Sequence, residues 1–301
     1  MAIMEVHNIS KSYGSFKAVD NISFVVEPGR MYGILGPNGA GKTTSIRMIM
    51  NILLPDTGHV SLFGQKMNEQ LKERIGYLPE ERGLYVKMKV IDMLVFLGRL
   101  HNMSQKRAIE AADHWLNRLD LTGWRDKKIE ELSKGMQQKI QFIGTVLHNP
   151  DLLIFDEPFS GLDPINSQII KDIMLEMREE KKAIMFSTHQ LEAAEKLCDD
   201  ILLINKGKKI LDGDLATIRK RYGKNAIQLE YNGDGEFLKS QPIVDKFDDY
   251  GNYMEVILKD GVESNQLLKV LVDKFDIRRF ESSTSSLKEI FLANVREEKD
   301  V

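Results

Sequence analysis

Short apolar runs bounded by turn residues alternate with longer segments of helical spacing over the first two-thirds of the chain. Residues 31–35, 152–155 and 183–186 are almost wholly apolar, the pattern of strands buried on both faces of a parallel sheet. After the first of them, Ile46, Ile49, Met50 and Leu53 recur at helical spacing. This alternation predicts an α/β fold with a largely parallel central sheet. Residues 4–9, 22–26 and 59–63, punctuated by Pro28-Gly29, Pro55-Asp56 and Gly64, predict a more antiparallel β region. Between residues 86 and 150 the pattern turns helical, most clearly over residues 90–121, which predicts an inserted helical subdomain.

After a strand at residues 201–205 the chain passes Gly213 and a helical turn into Arg219-Lys220-Arg221-Tyr222-Gly223-Lys224-Asn225. This polar, basic stretch reads as a linker, dividing the chain into domains of residues 1–221 and 222–301. In the second, alternation at Ile227, Leu229 and Tyr231 and at Met254, Val256 and Leu258 predicts strands. Leu267, Leu268, Leu271, Val272 and Phe275 recur at helical spacing and are expected inside that domain's own core. The tail is expected to be a small α+β domain.

Composition narrows the class. A length of 301 residues suits one large domain and one small one. The hydrophobic fraction of 42%, the charged fraction of 29% and the formal charge of −3 are those of a globular protein without a basic excess that would favour nucleic acid. Residues 222–301 hold 11 basic against 16 acidic side chains, so the tail is a poor nucleic-acid binder. No apolar stretch nears the roughly 18–20 residues that cross a bilayer, and no basic-then-apolar leader opens the sequence. Membrane work is therefore expected of a partner. The single cysteine, Cys198, shares an apolar helical stripe with Leu191 and Ala194, so it reads as core in a reducing compartment.

The chemistry concentrates in a few motifs. Gly36-Pro37-Asn38-Gly39-Ala40-Gly41-Lys42-Thr43 fits the phosphate-binding loop, with a strand before it and a helix after it. Glycines let backbone N–H groups converge on phosphate, Lys42 reaches the outer phosphates, and the Thr43 hydroxyl can ligate Mg²⁺. A buried strand ends in Asp156-Glu157-Pro158. Asp156 suits a Mg²⁺ held through its water shell, and Glu157 suits the base that polarises the attacking water. His189, beyond a strand expected beside the phosphate loop, reads equally as packing or as a γ-phosphate contact. Leu132-Ser133-Lys134-Gly135-Met136 is by itself a helix N-cap, and its exposed N–H groups leave open an anion-binding role in trans.

In their order, the phosphate loop, Leu132 to Met136, Leu152 to Glu157, Ser160-Gly161-Leu162-Asp163 and His189 together resemble an ABC ATPase cassette. They match its Walker A, signature, Walker B, D-loop and switch histidine. The resemblance implies a P-loop NTPase fold and a head-to-tail dimer, in which ATP on one subunit's Lys42 loop is closed by the other's Ser133-Lys134-Gly135 segment. It implies that Tyr13, in Lys11-Ser12-Tyr13-Gly14, stacks on adenine, and that Thr44, Met136 and Asp163 belong to the nucleotide site. Two departures stand out. Glu80 follows Tyr77-Leu78-Pro79 where the family usually has Gln, yet a carboxylate can still serve the metal and the water. The signature has Lys134 and Met136 where Gly and Gln are common. Within the family, Gly76 to Tyr85 and the ending Ser285-Ser286-Leu287-Lys288-Glu289-Ile290-Phe291 look most like the sodium-extruding NatA type, cassettes grouped with multidrug and antibiotic exporters.

These readings lead to an expected function: the ATP-hydrolysing subunit of an exporter. It would work as a homodimer at the cytoplasmic face of the cell membrane, on a separate permease whose coupling helix enters a groove near residues 80–88. One alternative is a soluble ABC ATPase acting on ribosomes or DNA, a class that usually carries two cassettes or a long coiled-coil insert. Another is a nucleotide-gated module with little turnover.

Overall fold

The computed structural model describes residues 2–297 apart from residues 82, 223–224, 233–234, 252, 260, 273, 275 and 285. The chain divides into two compact units, one ending at Gly213 and one beginning at Asp214.

The first unit opens with a hairpin of β1 (Met4–Tyr13) and β2 (Phe16–Val26), followed by β3 (Met31–Leu35), the glycine loop and α1 (Lys42–Ile49). Next come β4 (Thr57–Leu62), β5 (Gln65–Lys66), the short α2 (Glu69–Lys72) and β6 (Ile75–Leu78). The helical insert holds α3 (Val90–Leu100), α4 (Gln105–Arg118), two 3-10 turns at Thr122–Trp124 and Ile129–Glu131, and α5 (Lys134–Val146). The chain then forms β7 (Leu152–Asp156), α6 (Pro164–Glu179), β8 (Ala183–Thr188), α7 (Leu191–Leu197), β9 (Asp200–Asn205) and β10 (Lys208–Asp214).

One ten-stranded sheet runs β5-β4-β1-β2-β10-β9-β3-β8-β7-β6. The pairs β3–β8, β3–β9, β7–β8 and β6–β7 are parallel, and β1 pairs antiparallel with β2 and β4. β3, β7 and β8 are buried at every residue, which is why they read as unbroken apolar runs. Because these strands are parallel neighbours, their C-terminal ends, Leu35, Asp156 and Thr188, share one edge of the sheet. That edge carries the site. Cys198 is buried, and a Cβ on Gly33 of β3 would lie 2.6 Å from its Sγ, so the thiol fills the space that glycine leaves. Burial raises its pKa well above the ordinary thiol value.

The second unit has α8 (Leu215–Tyr222), β11 (Asn225–Asn232), a 3-10 turn at Gly235–Ser240, β12 (Val244–Asp249), β13 (Tyr253–Leu258), α9 (Ser264–Val272), β14 (Asp276–Thr284) and α10 (Leu287–Glu297). Its antiparallel sheet runs β12-β13-β11-β14. Ile227, Leu229 and Tyr231 meet Met254, Val256 and Leu258 on one face, with Leu267 and Leu271 of α9 over them.

Several expectations change. Arg219 to Tyr222 are not linker but the last turn of α8, and Asn225 opens β11; Gly223 and Lys224 lie outside the described residues. Leu215 and Ile218 give this helix a buried face, and α8 packs with α10, so it belongs to the second unit and moves the boundary back to Gly213. β10 has no counterpart in the sequence reading, because Lys208-Lys209-Ile210-Leu211 alternates only weakly. On α9, Leu267 and Leu271 are buried as expected, whereas Val272 is 60% exposed. Phe275 lies outside the described residues.

The boundary has a direct test. A chain ending at Gly213 should fold and bind ATP, whereas one ending at Tyr222 keeps α8 without α10 and should melt lower or aggregate. Equal behaviour of the two in thermal melts and sizing would move the boundary back to the basic stretch.

Candidate nucleotide-binding site

The phosphate loop is shaped by three glycines at positive φ: Gly36 at 153°, Gly39 at 77° and Gly41 at 109°. At two of them space is also missing, since a Cβ on Gly36 would strike the Ile204 carbonyl and one on Gly41 the Ala18 carbonyl. The loop is tied to its neighbours by Gly207 N–H donating to Ala40 O at 2.9 Å and Asp20 N–H donating to Gly207 O at 2.8 Å. Lys42, only 6% exposed, folds back so that its Nζ donates to Gly36 O at 2.9 Å and Pro37 O at 3.2 Å. The same Nζ is 3.4 Å from Glu157 Oε1.

At the adjoining strand end, Glu157 is itself held at φ 51°, a left-handed conformation unusual for a non-glycine residue and a form of strain found at functional sites. Its N–H donates to Ser187 Oγ at 3.0 Å, and Ser187 Oγ donates to Asp156 Oδ1 at 2.5 Å. One hydroxyl thus fixes both acids. His189 Nδ1 lies 3.1 Å from each carboxylate oxygen of Glu157. Burial pushes the Asp156 pKa up, opposed by the Ser187 and Thr43 hydroxyls. Asp156 Oδ2 is buried without a hydrogen-bond partner among the described residues. Tyr77, on the strand leading to Glu80, is pushed up to about 12 by burial first and then by the Asp156 charge.

A cavity of about 310 Å³ opens over this edge. It is lined by the expected residues Tyr13, Asn38, Gly39, Gly41, Lys42, Thr43, Thr44, Glu80 and Glu157. Phe16 and Ala18 also line it, and neither was singled out from the sequence. The signal was there: Gly14-Ser15 is a two-residue turn, so Tyr13 and Phe16 face each other across the hairpin. Both aromatic rings are more than half exposed at the mouth. Gly36, Pro37 and Ala40 belong to the loop backbone behind the cavity, Asp156 lies beneath it, and His189 reaches it through Glu157.

The signature segment is elsewhere. Ser133, exposed, caps α5 by accepting from Met136 N–H at 3.3 Å, and none of Ser133, Lys134, Gly135 or Met136 lines the cavity. A Cβ on Gly135 would sit 3.8 Å from Leu162 and 3.9 Å from Gly161 O, so this helix start adjoins the D-loop. There Asp163 caps α6, accepting from Asn166 N–H at 2.9 Å, and these bonds lower its pKa. One chain therefore carries two separate helix starts, and the cavity lies over the first.

A divalent cation fits the first. Thr43, Asp156 and Glu80 offer hard oxygen donors, and Asp156 Oδ2 has no hydrogen-bond partner among the described residues. These few oxygen donors suit Mg²⁺, which commonly completes its shell with phosphate oxygens and water.

A strand, a glycine loop and a helix N-terminus, with acids at the end of β7, one strand removed from β3, define a P-loop nucleotide-binding protein. Comparison with known proteins narrows this. Residues 19–160 match the family model of the ABC transporter, and residues 213–295 match that of the ATP-binding protein DrrA1-3-like C-terminal domain. YhaQ of Bacillus subtilis, an uncharacterized ABC transporter ATP-binding protein, is 40% identical over 97% of this chain and 98% of its own. The ABC transporter ATP-binding protein NatA and the linearmycin resistance ATP-binding protein LnrL, both of Bacillus subtilis, are 35% and 34% identical. They match over 67% and 78% of this chain and 84% and 76% of theirs. A solved ATP-binding subunit of an ABC transporter superposes with a TM-score of 0.69 at 30% identity, over 73% of this chain and 93% of that one. The chain belongs to the ATP-binding proteins of ABC transporters, an ATPase family whose members bind ATP, dimerise and work with membrane permeases. No described helix is long and apolar enough to cross a membrane.

Ser187 was given no role in the sequence reading, yet it joins Asp156 to Glu157. Ser187→Ala should leave the Glu157 N–H and Asp156 without that partner and cost about 1–3 kcal/mol. Urea unfolding reads this directly, and an unchanged midpoint would mean that water replaces the hydroxyl.

Proposed function

We propose that the chain is the ATP-hydrolysing subunit of an exporter and that Glu157 is its general base. The observation that carries the assignment of the base is the arrangement around that carboxylate, with Lys42 on one side, His189 on the other and the phosphate cradle in front. Bound ATP would compete for Lys42 and release Glu157 from it. Glu157 would then take the proton of a water attacking the γ-phosphorus as the bond to the ADP oxygen breaks. His189, bonded to both carboxylate oxygens, would hold the base in place and reach the γ-phosphate. Thr43, Asp156 and Glu80 would hold Mg²⁺, which supplies charge neutralisation on the outer phosphates. Tyr13 would stack on adenine, as an exposed aromatic face at the cavity mouth can.

The Ser133 helix start does not line its own chain's cavity. A second copy arranged head to tail would bring it, with Lys134, Gly135, Met136 and Asp163, onto the phosphates opposite, which favours a homodimer with two shared sites. A permease is the proposed membrane partner, reached from the cytoplasmic side, and Tyr85 and Phe96, in edge-to-face contact and exposed, mark the surface for its coupling helix. Likeness to a linearmycin resistance protein favours export of a drug or similar compound, and likeness to NatA keeps a cation such as sodium as the other cargo class.

Glu157→Gln should bind ATP and hydrolyse it at least about a hundredfold more slowly, because losing a general base typically costs 10²–10⁴. It should also run as a dimer with ATP and as a monomer without it. Turnover near wild type in a phosphate-release assay would remove Glu157 from the role of base. Lys42→Ala should weaken ATP binding itself, and unchanged affinity by calorimetry would contradict the phosphate-loop reading.

A further inference from the structure

β6 is the edge strand of the large sheet, so every second carbonyl along it has no strand to pair with. Side chains of α5 and of the turn after it face those carbonyls. His148 Nε2 lies 3.1 Å from Ile75 O, and Thr145 Oγ1, which donates to Gln141 O at 3.0 Å, lies 3.4 Å from Tyr77 O. Gln141 Nε2 donates to Pro79 O at 3.1 Å and Glu81 O at 3.2 Å. Gln141 and Thr145 sit four residues apart on one face of α5, and His148 follows in the turn after it. Of the acceptors, 75 and 77 alternate along β6, and 79 and 81 lie beyond its end, where the chain bends. His148 is part of the same row in neutral form, since burial, then the stacked His101, push its pKa down to about 4.

Gln141 differs from the other two because its acceptors flank a residue of the nucleotide cavity. Its single amide nitrogen grips the backbone on both sides of Glu80, beyond the end of β6, where no ladder fixes the chain. Gln141 is only 6% exposed, and its Oε1 is buried with no partner among the described residues. Turning the amide over would set that oxygen against two carbonyls, so the donor orientation is forced. The cost of an unpaired buried oxygen is borne at this position for the sake of the two bonds.

We infer that Gln141 is a positioning residue for ATP hydrolysis: by bonding to Pro79 and Glu81 it fixes Glu80 at the mouth of the nucleotide cavity. This rests on the role proposed above for Glu80. Gln141 does not itself line the cavity; it acts through the backbone that carries Glu80.

The test is a double-mutant cycle of Gln141→Met, which keeps the bulk and loses the donors, with Glu80→Ala. ATP affinity in the single Gln141→Met chain should stay within about twofold, since the phosphate loop is untouched. Turnover should fall about tenfold, and the Mg²⁺ concentration for half-maximal rate should rise. In the Glu80→Ala background the same change should cost less than about twofold, whereas Thr145→Val, on the neighbouring carbonyl, should lower the melting temperature without moving the Mg²⁺ dependence. If Gln141→Met does not fold, Gln141→Leu, also without the donors, is read in the same cycle. Additive losses beside an impaired Glu80→Ala, or wild-type turnover and Mg²⁺ dependence in the Gln141 variant, would overturn the clamp alone. Unimpaired Glu80→Ala would overturn the role of Glu80 and the clamp with it.

Discussion

Three charges, Lys42, Asp156 and Glu157, are buried side by side at one end of a parallel sheet, and the surrounding structure serves to keep them there. An isolated buried charge is too costly to persist, so each needs partners. Lys42 finds two carbonyls and the Glu157 carboxylate, Asp156 finds the Ser187 hydroxyl, and Glu157 finds Lys42 and His189. What remains without a hydrogen bond among the described residues is the second oxygen of Asp156. A triphosphate with its counter-cation is the ligand whose charges complement that oxygen and the Lys42 loop. The contacts that hold these charges in place are those that ATP would exchange.

The fold explains why these groups meet. Parallel neighbours β3, β7 and β8 bring residues from three distant stretches of sequence to one edge, and the fully buried strands keep that edge in fixed register. The helical insert, entered from the edge strand β6 and closed by α5, places its own helix start outside that cavity, next to the D-loop. Separation of the two helix starts within one chain is the physical ground for a site completed by a second chain. The four-stranded unit after Gly213 has its own core.

Much of this was legible in the sequence because its signals are local. The phosphate loop is a contiguous run, the strand before Asp156-Glu157 is wholly apolar, and the insert is helical in period. What was missed depends on tertiary neighbours. Ser187 gives no sign in sequence that its hydroxyl joins two acids on another strand. Phe16 enters the cavity only because a two-residue turn sets it beside Tyr13. The basic run from Arg219 reads as linker because its charges dominate the composition, while the anchor that makes it helix, Leu215 and Ile218, lies just before it. Gln141 looks like one more polar helix residue until the free carbonyls of an edge strand are placed against it.

The central claim is that one chain supplies the cradle and the base while the Ser133 helix start of a second chain completes the site. Mixing two defective chains tests it most directly, one with Lys42→Ala and one with Ser133→Glu, each assayed alone and together for ATP hydrolysis. The account predicts that each is inactive alone and that an equal mixture regains about a quarter of wild-type activity, since half the pairs are mixed and each holds one intact site. Wild-type turnover by the Ser133→Glu chain alone would contradict it.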